Sequence, residues 1–128
     1  MKNGIMVVIA CVAFFSAAIT WASATKRLDP GTQTCRIFTQ ASLWEGRQIF
    51  KNSCKTCHFT GNDQGASFIH TESKPMKGWN RVFYEKYPQC AKNGGWDRLA
   101  QEQLLLLNDY LFRYAQDAYD PYDASDCG

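Results

Sequence analysis

Cys54-Lys55-Thr56-Cys57-His58 is the stretch on which the reading of this chain turns. Two thiols three positions apart lie about one helical turn apart on one face, and an imidazole follows directly. C-x-x-C-H is the spacing of a c-type haem attachment site. There the two thiols bond two vinyl positions of one porphyrin, and the histidine is carried under the ring to offer a nitrogen to the iron. Three other chemistries share part of the pattern. A thioredoxin-like dithiol follows a buried strand in a βαβ arrangement, and no strand–helix alternation is legible in this chain. A zinc site needs a second ligand pair of matching spacing, for which His70 and Cys90 are too scattered. A disulfide closed across two residues is strained. The motif therefore predicts one covalent haem c, with Cys54 and Cys57 as anchors and His58 as the proximal iron ligand.

The flanking sequence is helical in pattern. Residues 42–52 predict a short helix in which Leu43, Gly46, Ile49 and Phe50 recur at three- and four-residue steps, with Ser42 as N-cap and Glu45 completing a capping box. A glycine inside a helix costs about 1 kcal/mol relative to alanine, so Gly46 points to another backbone passing close by. Residues 79–87 predict a middle helix stopped by Pro88, with Trp79, Val82, Phe83 and Tyr87 available to line a pocket. The strongest pattern runs from Leu99 to about Ala118. There Leu104, Leu107, Leu111, Tyr114 and Ala118 form one stripe, Ala100 is an indifferent cap and Gln103 sits at the third helical position.

Composition bounds the rest. The chain has 128 residues, 45% apolar and 14% aromatic, with a formal charge of +2. That is the size of one domain, too apolar for a disordered segment and too weakly charged for a non-specific nucleic-acid binder. Residues 1–24 read as a secretory signal peptide: Lys2, an apolar run from Gly4 to Ile19, then Ala22-Ser23-Ala24 as a small-x-small cleavage site. The run falls short of the roughly 18 apolar residues of a spanning helix, so a membrane association is expected only if the segment stays uncleaved. The expected location is extracytoplasmic, such as a periplasm, where disulfides persist. Residues 25–41 form an N-terminal extension, and residues 119–128 an acidic tail. Residues 47–98 carry nine Lys and Arg against four Asp and Glu, whereas residues 99–128 carry one against six. Lys51, Lys55, Lys74 and Lys77 are candidates for a positive rim around the haem edge that would steer an acidic redox partner.

On these residues the chain resembles the class I c-type cytochromes. Gly46, Phe50 and Cys54, four apart and leading into Cys57-His58, resemble that family's N-terminal helix. Leu107, Tyr110 and Leu111 resemble its terminal helix. The resemblance covers residues 42–118 and implies an all-α fold, a small cytochrome c-like helical domain wrapped around one covalent haem. It also implies that the two helices cross at Gly46 with Phe50 packed at the crossing, and that Gly46, Phe50, Phe68 and Trp79 line the pocket. Gly65-Ala66-Ser67-Phe68 falls where the family has a Gly-Pro segment whose carbonyl orients the proximal histidine, and the proline is missing here. If the helices cross as in the family, a Cys35–Cys127 clasp follows; a Cys90–Cys127 bridge is the other pairing.

The chain departs from the family at the distal iron position. The loop before the last helix, Pro88 to Trp96, holds neither methionine nor histidine. Met76, in the turn-like Ser73–Gly78 stretch, is the expected distal ligand. His70 and Cys90 are the alternatives, followed by a lysine or no protein ligand at all. The expectation is an exported one-electron carrier working between redox partner proteins, with no catalytic residues and no nucleic acid. The rivals are a haem protein with an open distal site, acting as a ligand sensor or small oxidoreductase, and a cytochrome subunit of a larger redox complex.

Overall fold

A computed structural model of the chain describes residues 24–118. They run β1 (Lys26–Asp29), β2 (Thr34–Ile37), α1 (Gln40–Ile49), a π-helical turn (Phe50–Cys54), a 3-10 turn (Thr71–Ser73), α2 (Met76–Glu85), α3 (Gln89–Lys92) and α4 (Gln101–Arg113). The fold is mostly helical, and the expectation of an all-α chain is corrected by one antiparallel hairpin. That hairpin occupies residues expected to be a mere extension, with Arg27 opposite Arg36 and Leu28 opposite Cys35. The expected signal peptide, residues 1–24, lies outside the described residues but for Ala24, and the expected acidic tail, residues 119–128, lies wholly outside them.

α4 is apolar around most of its girth because three neighbours use it. Leu106 and Tyr110 meet α1 at Gly46. Leu107 and Leu111 face a cavity on another side. Asn108 and Asp109 turn to α2 and the hairpin, where Asn108 donates to Asn80 at 3.1 Å and Asp109 accepts from Arg27 at 2.6 Å and from Arg36 at 2.7 Å. Gly46 is required at the α1–α4 crossing. A β-carbon there would overlap the Leu106 carbonyl and come within 2.7 Å of Tyr110 Cβ.

The hairpin is held by charge rather than by apolar burial. Arg27 has no exposed surface. Its guanidinium reaches Asp109, Asp29 at 2.8 Å, Asn80 at 3.1 Å and the Leu105 carbonyl at 3.3 Å. Such a cation is tolerated inside only when it is paired and fully hydrogen-bonded. Phe38, just after β2, packs edge-on to Phe112 at 6.1 Å.

Helix boundaries move from the expected ones for local reasons. α1 begins earlier because Thr39, not Ser42, is the N-cap. Ser42 N–H donates to Thr39 Oγ1 at 3.0 Å, and Thr39 N–H donates to Ser42 Oγ at 2.9 Å. α2 begins at Met76, its first N–H donating to Asp117 at 2.6 Å. It ends where Lys86 adopts a left-handed conformation, φ 49°. α4 starts as expected, with the Gln103 side chain accepting from the uncapped Ala100 N–H at 2.9 Å. It stops at Arg113 rather than running on to Ala118, because the chain then turns so that Gln116 N–H can donate to the Lys74 carbonyl at 3.1 Å.

Candidate functional site

The site grows from the end of α1. Below Ile49 the helix widens, and Lys55 N–H reaches back five residues to the Phe50 carbonyl at 3.0 Å. Single wide turns of this kind recur at functional sites. The next turn is tight again, with His58 N–H donating to the Cys54 carbonyl at 2.9 Å. Cys54, Cys57 and His58 therefore occupy one helical turn, and all three side chains line one cavity of about 390 Å³. That volume is within the range of cofactor pockets.

The loop after the motif is built to hold His58. Asn62 donates from Nδ2 to the carbonyls of Phe59 at 2.9 Å and Ala66 at 2.6 Å, and its Oδ1 accepts the Gln64 and Ala66 N–H groups. Lys55 Nζ donates to the carbonyls of His58 at 3.0 Å and Ile69 at 2.9 Å, and sits 4.1 Å over the Phe68 ring. The folded loop brings the Ser67 carbonyl to His58 Nδ1 at 2.6 Å. A carbonyl accepts, so Nδ1 carries the proton and Nε2 keeps its lone pair for a metal. A hydrogen bond from Nδ1 to a carbonyl fixes the ring's orientation and makes the opposite nitrogen a stronger electron-pair donor. Residues 65–68 contain no proline, and the Ser67 backbone carbonyl is what holds the His58 ring. Neither Asn62 nor this use of Lys55 was legible beforehand; the only signal was the Asn-Asp and Gly punctuation of residues 61–65.

The remaining walls come from α2 (Trp79, Val82, Phe83), the segment 87–99 (Tyr87, Pro88, Cys90, Trp96, Arg98, Leu99) and α4 (Leu107, Leu111). Trp79 is buried and donates from Nε1 to the Thr71 carbonyl at 2.7 Å. Phe83 and Trp96 stack with centroids 5.0 Å apart. Burial foremost, aided by Cys90 and Cys57 and opposed by Arg98, pushes the Cys54 thiol up to about 12. Cys54 is thus a neutral thiol near pH 7. Cys54, Cys57 and Cys90 are all free, so the Cys90–Cys127 bridge is not formed. Cys35 is disulfide-bonded, and Cys127 of the expected clasp lies outside the described residues.

Several expected site residues sit elsewhere. Met76 has no exposed surface and belongs to the apolar core; it does not line the cavity. Its place as first residue of α2 turns it inward, into that core rather than toward the cavity. His70 lines a broader groove with Trp44, Arg47 and Arg113, which contains no thiol. Phe68 is half exposed under Lys55. Gly46 and Phe50 serve the helix crossing rather than the cavity wall, with Phe50 5.9 Å from the Tyr110 ring. Of the expected lysine rim, Lys74 lines the cavity and Lys55 is committed to the loop. Among the described residues no three His, Cys, Asp or Glu side chains gather as a bare-metal site.

Comparison of the chain with protein-family models, curated proteins and solved structures finds no match.

Proposed function

We propose that the protein is a monohaem c-type cytochrome that carries single electrons between redox partners in an extracytoplasmic compartment. The observation that carries this reading is the 2.6 Å contact between His58 Nδ1 and the Ser67 carbonyl, beside two free thiols in the same cavity. A thioredoxin-like dithiol has no use for an imidazole fixed in one tautomer, whereas a haem ligand requires it.

The residues present fit a haem. Cys54 and Cys57 would hold it by thioether bonds, His58 Nε2 would be the proximal donor, and Trp79, Val82, Leu107 and Leu111 would exclude water. When bound, the haem supplies an iron that gains and loses one electron. This chain's part is to orient the imidazole, keep the surroundings apolar and let little rearrange when charge changes. The decisive experiment is denaturation of the protein, expressed in a host able to mature such proteins, followed by extraction with acidified organic solvent. Colour that stays with the peptide, and leaves it in Cys54→Ser/Cys57→Ser, is expected. A colourless chain of unmodified mass sinks the reading.

A second reading has its own observation. With Met76 and His70 outside the cavity, Lys74, Tyr87 and Cys90 are, among the described residues, the lining side chains other than the motif's own that carry an iron donor. That favours a haem protein whose distal face is open to a small ligand. Carbon monoxide added to the reduced protein separates the two: prompt spectral change marks an open site, and none marks a six-coordinate carrier. Loss of the six-coordinate spectrum in Cys90→Ala or in Lys74→Ala would name the distal donor.

A further inference from the structure

A second concavity, of about 1240 Å³, is bordered by α1 and the last turn of α4, and none of its lining residues lines the cavity of Cys54, Cys57 and His58. Rings and guanidiniums alternate along it. The Arg47 guanidinium lies 5.2 Å from the centre of the Trp44 ring. Tyr110 follows: burial raises the pKa of its hydroxyl and Arg47 opposes that rise, so this cation stands near the phenol. The Tyr114 ring is 5.3 Å beyond Tyr110, and the Arg113 guanidinium is 5.0 Å from its centre.

Among the described residues, neither arginine has an acidic partner. Arg113 Nη1 is in addition buried without a hydrogen-bond acceptor, a costly state for a charged donor. The one acid lining the groove, Glu72, pairs with neither. A cation in the last turn of a helix suits the helix dipole. That accounts for the two charges but not for Trp44, left 59% exposed beside one of them. A guanidinium held against a ring keeps its N–H fork available to a planar oxyanion. A concave site walled by rings, with a few convergent charged groups, is the make-up of a small-molecule pocket.

We propose that this groove binds an aromatic carboxylate, with the carboxylate held by Arg47 and Arg113 and the flat body laid against Trp44, Tyr110 and Tyr114. The site is separate from the haem cavity, and the proposal does not rest on the haem reading.

The test is calorimetric titration of the full chain with naphthalene-2-carboxylate, beside acetate and 2-naphthol. The naphthoate is expected to bind saturably and about tenfold or more tightly than either. Equal binding of acetate marks a site for any anion, and equal binding of 2-naphthol a merely greasy surface; each overturns the proposal, as does no binding at all. Trp44→Ala and Arg47→Gln/Arg113→Gln are expected to weaken the naphthoate about tenfold at unchanged helix content. Unchanged affinity in both variants overturns the assignment. Arg98→Gln, in the wall of the other cavity, is expected to leave the affinity as it was, and a loss there assigns the binding to that cavity instead. Displacement of the naphthoate by a tetraglutamate peptide of equal affinity would give the groove to an acidic protein segment and overturn the small-molecule assignment.

Discussion

Single positions carry much of the design, and Gly46 is the sharpest. Its missing β-carbon is what lets the Leu106 carbonyl approach α1. Backbone cannot swing aside as a flexible side chain can, so Gly46→Ala is expected to cost about 1–3 kcal/mol by overpacking, and Gly46→Val more. Denaturant unfolding checks this; an unchanged midpoint would mean that the helices have room to part. Asn62 works differently. It touches no cavity atom, yet four hydrogen bonds from its amide shape the loop that presents the Ser67 carbonyl to His58. Asn62→Ala is expected to leave helix content unchanged while loosening the imidazole. In the haem-loaded protein this reads as an altered ferric spectrum.

At the scale of elements, the hairpin and α4 depend on one buried cation. Removing one member of a buried pair costs about 3–5 kcal/mol, so Arg27→Ala is expected to remove a large part of the stability of a chain this size. Because the other member is then stranded, Arg27→Met/Asp109→Leu is expected to be less damaging than the sum of the single changes, and thermal unfolding of the four proteins measures the difference.

The same pairing explains why the hairpin was invisible in the sequence. Binary patterning assumes that apolar side chains point inward, but here Arg27 and Asp29 go in and Leu28 and Ile37 stay out. Only Asp29-Pro30-Gly31 marked a turn. The crossing helices were legible because Gly46 breaks a helical run and Leu107 and Leu111 keep the period. The Cys54–His58 motif was legible because two cysteines and a histidine at so short a spacing stand out in any sequence. The start of α2 was misplaced because the Pro and Gly around Met76 read as a loop, whereas Pro75 and Gly78 are the cap and first turn of that helix. The loop that orients His58 depends on backbone carbonyls, which carry no residue signature.

For the molecule as a whole, acid tests whether charge holds the fold. Burial alone would raise the Asp29 pKa, but hydrogen bonds from Arg27 and Thr32 outweigh it and hold the carboxyl below its ordinary value of 3.8. A depressed folded pKa means the contribution is fully present above about pH 4–5 and is lost as pH falls through the folded value. Asp29→Asn is therefore expected to be less stable than the parent at pH 7, with the gap narrowing below about pH 4. Urea melts at both pH values check the sign, and a gap that widens in acid would reverse it.

Arg27 and Asp109 are separated by 82 positions. A chain emerging N-terminus first carries its strand-borne guanidinium long before the matching carboxylate arrives. Until then the first strand has no anchor, and long-range closure of this kind slows a small domain. The final locking of the molecule must wait for nearly the last turn of helix to be delivered, which leaves the Cys54–His58 turn accessible to solvent and to other molecules until then.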